Sequence, residues 1–377
     1  MSNIKKSIVL TVILSLLLSF SVSAQSVIPF DGGGTQESPY LIGSSDDMYE
    51  FAEIVNGGYS FEGEYIKLTS DICLNDISDV ENWAFSAPEN EWTPIGEDYP
   101  TAFRGSFDGD NHTVSGVYIN ADSGCQALFG CMYGGEIKNL TLSDSFISGN
   151  GFYVAGIVAS QLSGDEEEHN KGLISGCVNN ATVMNKGMYT GGVAGDCIRI
   201  ADCINNGNIT GADMYVSGVT VGACRIENCV NNGNVTGTEN VAGVCYSTYC
   251  ERTHDYERGV FCCTNNGTVK GEKECYGIAS SANSRIVDCS DYGEVYSSEQ
   301  PYSILGDMNH DKQITAADAR IILRCAAKLD SNWDIYDTVV CGDFDNDGKL
   351  TAKDARTCLR YAAGLDDYHK DFGVNIK

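Results

Sequence analysis

Asp307, Asn309, Asp311 and Asp318 stand at positions 1, 3, 5 and 12 of one short stretch, and Asp343, Asp345, Asp347 and Asp354 repeat that spacing in a second. Alternate residues of a tight loop turn their oxygens inward, and a carboxylate at position 12 closes the shell from the helix that follows. Such an arrangement suits a hard divalent cation, which takes about six to eight oxygens at roughly 2.3–2.6 Å. Position 7 adds the backbone carbonyls of Gln313 and Lys349, and position 9 places Thr315 and Thr351 within reach through a water. The chemistry expected is binding of two Ca2+ ions. Ile314 and Leu350, at position 8, would anchor the loops to a small core. Two features depart from the usual EF-hand pattern. Position 12 is Asp, whose shorter reach draws helix and loop together. Position 6 of the first loop is Lys312, at a place where glycine turns most easily.

The two loops belong to longer copies, GDMNHDKQITAADARIILRCAAKL and GDFDNDGKLTAKDARTCLRYAAGL, offset by 36 residues. Aspartate at position 12, the tandem arrangement and the recurring D-A-R-x-x-L-R-x-A-A-x-L helix closely resemble a type I dockerin of cellulosome-type systems, over residues 303–366. The resemblance implies a small all-α domain with two EF-hand-like loops that binds, when calcium is present, a cohesin module on a scaffolding protein. The family's recognition positions fall on Ala316, Ala317, Leu323, Arg324 and Lys328, and again on Ala352, Lys353, Leu359, Arg360 and Gly364. Near-duplication implies a pseudo-twofold surface able to dock in either of two orientations. The Ala-Ala and Ala-Lys pairs differ from the Ser-Thr of many dockerins, so the choice of cohesin stays open.

The rest of the chain must carry this module. Between residues 171 and 293 five segments repeat, with aligned Cys177, Cys203, Cys229, Cys263 and Cys289. Three of the gaps are 26 residues, one is longer by eight, and Leu140 takes the same phase in an upstream copy. Units this short bury a core only by stacking. Strand-forming residues alternating with Asn-Asn-Gly turns predict a right-handed parallel β-helix over residues 25–298. The cysteines would form an inward ladder of small hydrophobes, and the asparagine pairs a ladder of amides at a turn. Ser44 to Gly58 reads as a capped amphipathic helix, with Met48, Phe51, Ile54 and Val55 on one face, covering the open end of the solenoid. This region resembles the repeat segments called GLUG-type or M26 peptidase N-terminal-like, a likeness that implies fold and leaves activity open.

Composition bounds the partners. A net charge of −28 opposes nucleic acid and anionic membrane surfaces. Lys5 and Lys6, the apolar run from Ile8 to Phe20 and Val22-Ser23-Ala24 read as a signal peptide over residues 1–24, which implies a secreted, extracellular protein without membrane insertion. Residues 367–377 read as a tail. Seventeen cysteines permit disulfides without requiring them.

Catalytic residues are not singled out by any spacing. A polysaccharide is the expected partner class of the solenoid only because dockerins usually tether enzymes that act on plant polysaccharides. The alternatives are a β-helical glycoside hydrolase or lyase and a non-catalytic adhesin or spacer. The insertions LSGDEEEHNK and ERTHDYERG share one phase of the coil and should emerge on one side. Trp83 could stack on a sugar, whereas Trp92 and His112 read as structural.

Overall fold

The computed structural model describes residues 28–122, 124–162, 172–248, 258–280, 284–297, 308, 314–327, 329, 342–344 and 349–365. Residues 1–24 and 367–377 and most of both insertions lie outside them, as do residues 307, 309–313 and 345–348 of the two acidic loops.

From Tyr40 to Ser297 the chain winds into a parallel β-solenoid. Its strands stack into five sheets of nine, eight, seven, six and five strands, named here first to fifth in the order the chain meets them. One turn runs Arg199–Ala201, Ile204–Asn205, Ile209–Gly211, Met214–Ser217 and Thr220–Gly222 before the first sheet is entered again at Arg225–Glu227. Apolar residues meet like residues across the stack, as Ile200 does with Ile226, Ile209 with Val235 and Val216 with Val241. These columns form one continuous core along the solenoid.

The corner between the first and second sheets explains the cysteines. Asn139, Asp202, Asn228, Cys262 and Asp288 turn it at positive φ of 52, 55, 54, 53 and 53°. Asn and Asp tolerate this left-handed conformation better than most residues. The thiol that follows then satisfies the corner. Cys203 donates to the Ala201 carbonyl (3.2 Å) and accepts from the Cys177 amide of the preceding coil (3.4 Å). Cys263 does the same toward Phe261 (3.2 Å) and Cys229 (3.4 Å). Cys262, at the corner itself, is exposed beside buried Cys263. The ladder cysteines are free thiols, whereas Cys224 is disulfide-bonded.

The asparagine pairs form two ladders of opposite polarity. In the inner one Asn179, Asn205 and Asn231 each donate forward at 2.8 Å, to Asn205, Asn231 and Asn265, and Asn265 caps on Asp291. In the outer one Asn206 and Asn232 donate backward at 2.8 Å. The glycine that follows is required by close approach: a Cβ at Gly233 would lie 1.9 Å from the Gly207 carbonyl oxygen. Burial separates the two ladders energetically, since Asn205 is fully buried and Asn206 exposed. Asn205→Ala strands an Asn179 hydrogen, the Asn231 oxygen and the Gly207 carbonyl, at about 1–3 kcal/mol apiece. Equilibrium denaturation should show a loss on the order of 4 kcal/mol for Asn205→Ala and under about 0.5 kcal/mol for Asn206→Ala. Equal losses would mean that the amides contribute by pairing alone, whatever their burial.

Helix α1, Ser45–Asn56, closes the first end. Ser44 caps it by accepting from the Asp47 amide (3.1 Å), and Asp47 returns by accepting from Gly43 (2.9 Å). Met48, Phe51 and Val55 are fully buried, and Phe51 packs on Phe61, Phe103 and Phe107 at 5.1, 5.7 and 5.8 Å. Trp83, a candidate sugar platform in sequence, is instead buried edge-on against Tyr118. Trp92 is buried and donates to Leu128, and His112 pairs with Asp71.

Candidate functional site

Two further helices, α2 (Ala316–Ala326) and α3 (Ala352–Ala362), carry the tandem motif. Each starts on a threonine that forms a capping box with the position-12 aspartate. Asp318 accepts from the Met308 amide through Oδ1 (2.9 Å), and through Oδ2 from the Thr315 amide (2.8 Å) and hydroxyl (3.0 Å). Asp354 repeats this with Phe344 (3.0 Å) and with the Thr351 amide and hydroxyl (2.9 and 2.8 Å). Both aspartates are fully buried. Positions 2, 9 and 12 of each loop are thus tied together in the same way.

A shared core holds the pair. Met308, Ala319 and Ile322 from the first copy meet Phe344, Ala355 and Cys358 from the second, with Ile314 and Leu350 packed at the side. Each member has its counterpart at the equivalent position of the other copy. The opposite faces are exposed. Ala316, Ala317, Leu323 and Arg324 lie on one helix, and Ala352, Lys353, Leu359 and Arg360 on the other, with Gly364 just beyond. Leu323 and Leu359 are 50 and 49% exposed, and Leu329 and Leu365 68 and 66%. Lys328 lies outside the described residues.

Asp318, Asp343, Lys349 and Asp354 of the proposed ligands are described; Asp307, Asn309, Asp311, Gln313, Asp345 and Asp347 are not. Among the described residues no group of three His, Cys, Asp or Glu converges on a metal position. The residues present nevertheless suit a hard cation. Oδ1 of Asp318 and of Asp354 each accept from a backbone amide, so a buried carboxylate sits at the position that closes each loop.

The solenoid carries a second cluster, which sequence reading missed. Asp196 ends a strand of the fifth sheet, in register with Ser160 and Gly222, with Tyr99, Tyr153 and Tyr189 around it. The residue is half-buried, and desolvation of its carboxyl pushes it up to about 7, opposed by a hydrogen bond from the Cys197 amide. Burial, and then the Asp196 charge, also raises Tyr153. Nothing in the string GDCIR marks this aspartate, because its environment comes from other coils. Beside it Tyr153, Tyr189, Tyr215 and Tyr246 follow one another at 5.0, 5.0 and 5.1 Å. These rings use their faces on each other, which stabilises the stack more than it offers platforms to a ligand. Both insertions leave the fifth sheet and return to the first, at the same corner of the coil.

No family model matches the chain. Similar stretches occur in halomucin of Haloquadratum walsbyi, 31% identical over 169 residues, which cover 44% of this chain and 2% of halomucin. A protein of Evansella cellulosilytica named "Putative Gly-rich membrane protein" is 28% identical over 131 residues, 34% of this chain and 14% of that protein. The chain therefore spans only a small part of either relative. Among solved structures, one described as a "putative immunoglobulin A1 protease" from Bacteroides ovatus superposes with a TM-score of 0.52 at 18% identity. The match covers 71% of this chain and 80% of that one, and at this identity it speaks to the fold alone. Among the described residues no helix is long and apolar enough to cross a membrane.

Proposed function

We propose that this chain is an exported protein whose C-terminal segment, residues 303–366, binds two Ca2+ ions and docks through them onto a cohesin-type module of a scaffolding protein. The solenoid is the cargo, presented to polysaccharide or to a cell surface. The observation that carries the reading is the equivalence of the two tail copies: Asp318 and Asp354 close their loops through the same bonds, and the described recognition positions are exposed. Such a surface offers apolar anchors, Leu323 and Leu359, each beside a guanidinium, the combination that dominates binding at protein interfaces. Calcium supplies the charge that holds each acidic loop in its folded shape. The names of the two relatives, one a mucin and one a membrane protein, support a place outside the cell or at its surface.

Calorimetry against a panel of cohesin modules tests this directly. Binding is expected in calcium and lost in chelator, and affinity that survives chelation would overturn the reading. A second reading, a β-helical hydrolase or lyase, is favoured by Asp196, a carboxyl held partly protonated near neutral pH beside tyrosines. Release of reducing ends or unsaturated uronates, lost in Asp196→Asn, would support it.

A further inference from the structure

A concavity of about 490 Å³ lies on the solvent face of the first sheet. Its floor is a single in-register column from five successive strands, Tyr65, Ser106, Glu136, Leu173 and Arg199. Four strand spacings make it about 19 Å long, running across the strands and along the solenoid. Its wall comes from the corner before that sheet, where Arg104 lies 4.2 Å over the Tyr133 ring and 3.8 Å from Glu62. Gly63 and Gly134 complete the rim, and a Cβ at either would meet nothing within 4 Å, so backbone is bare there.

We propose that this groove binds a linear, neutral, hydroxyl-rich glycan. The proposal rests on reading the solenoid as a polysaccharide-facing cargo and gives that cargo a site and a ligand class. Sugar hydroxyls need donors and acceptors together, and their ring faces need apolar surface. Arg104 and Arg199 supply charged donors, Glu62 and Glu136 charged acceptors, and Tyr65, Tyr133 and Leu173 the apolar surface. The length suits several rings in a row rather than one. Within the lining two carboxylates face two guanidiniums, with Lys138 paired to Glu136 at 3.2 Å beside it, and the chain as a whole carries −28, so a polyanion would be repelled at long range. A peptide is disfavoured because every floor strand is already paired on both sides or ends the groove inside the sheet, leaving no edge to extend.

The test uses the full chain, titrated with cellohexaose, xylohexaose, mannohexaose and polygalacturonate, first in calcium and then in chelator. One neutral hexasaccharide is expected to bind. Arg199→Ala should weaken it at least tenfold and Glu136→Gln several-fold, with circular dichroism and melting unchanged. Chelation should leave sugar binding intact while abolishing cohesin binding, which separates failure of this site from failure of the docking segment. Binding of none of the three neutral sugars, preference for polygalacturonate, or indifference to both substitutions would overturn the proposal.

Discussion

Asp318→Ala together with Asp354→Ala is expected to melt both C-terminal helices at room temperature and to abolish cohesin binding even in excess calcium. Each aspartate is fully buried and accepts from two backbone amides and a threonine hydroxyl. Truncation leaves those amides without partners, at about 1–3 kcal/mol each, so the double variant loses on the order of 6 kcal/mol or more. Six buried residues make up this core among the described residues, and domains this small commonly rest on a margin of about 3–5 kcal/mol. If the loops hold calcium as proposed, loss of a ligand from each adds to the deficit, because the metal's binding energy is then folding energy. Hydrogen exchange read separately on residues 316–326 and 352–362 checks this, with the solenoid amides as an internal control. Full protection of both helices in the double variant would refute it. The paired change to Asn separates two roles, since it keeps an acceptor oxygen and drops the charge. Asparagine at both positions should preserve more helix than alanine while still abolishing the response to calcium.

The parts of the fold that were legible in sequence are those where one residue type repeats in one environment. The 26-residue period fixed the phase of Cys177, Cys203, Cys229 and Cys263, and the structure puts all four in the core. The Asn-Asn-Gly turns announced an amide ladder. That there are two ladders, one buried and one exposed, was not visible, because adjacent asparagines look alike until the corner places them. The thiols were read as small hydrophobes; the structure adds that they also hydrogen-bond the corner, a role a valine could not fill. The capping helix was legible from its serine and its apolar stripe. The groove on the first sheet was not, since its lining runs from Glu62 to Arg199 and only the coil brings those residues into one column. Asp196 was hidden for the same reason. The inserted loops leave the coil at the corner between the fifth and first sheets, and Asp196, which ends a fifth-sheet strand there, belongs to a regular turn that no sequence motif marks.

Raising the pH from about 4 to about 7 is expected to destabilise the solenoid through Asp196, and Asp196→Asn should remove that dependence. Burial holds the folded carboxyl at about 7 against an ordinary value of 3.8. Between those values the native state keeps a proton that the unfolded chain has released, so stability falls as pH rises. Above the folded value the whole cost is present, on the order of 4 kcal/mol at most. The groups that face it, Tyr99, Tyr153, Tyr189, Cys197 and Cys245, are all raised by burial and stay neutral over this range, so none titrates along with it, and no tyrosine or cysteine can supply a compensating positive charge. Other carboxylates titrate alike in both proteins, and the difference between wild type and Asp196→Asn isolates this one group. Denaturation curves at pH 8 should show the asparagine variant more stable by up to that amount, with the two proteins converging near pH 4. A carboxylate held by a cation would give the opposite sign, with the variant weaker at pH 8. The same inequality leaves roughly half of the Asp196 population protonated near neutral pH, which is the state that the hydrolase or lyase reading requires of it.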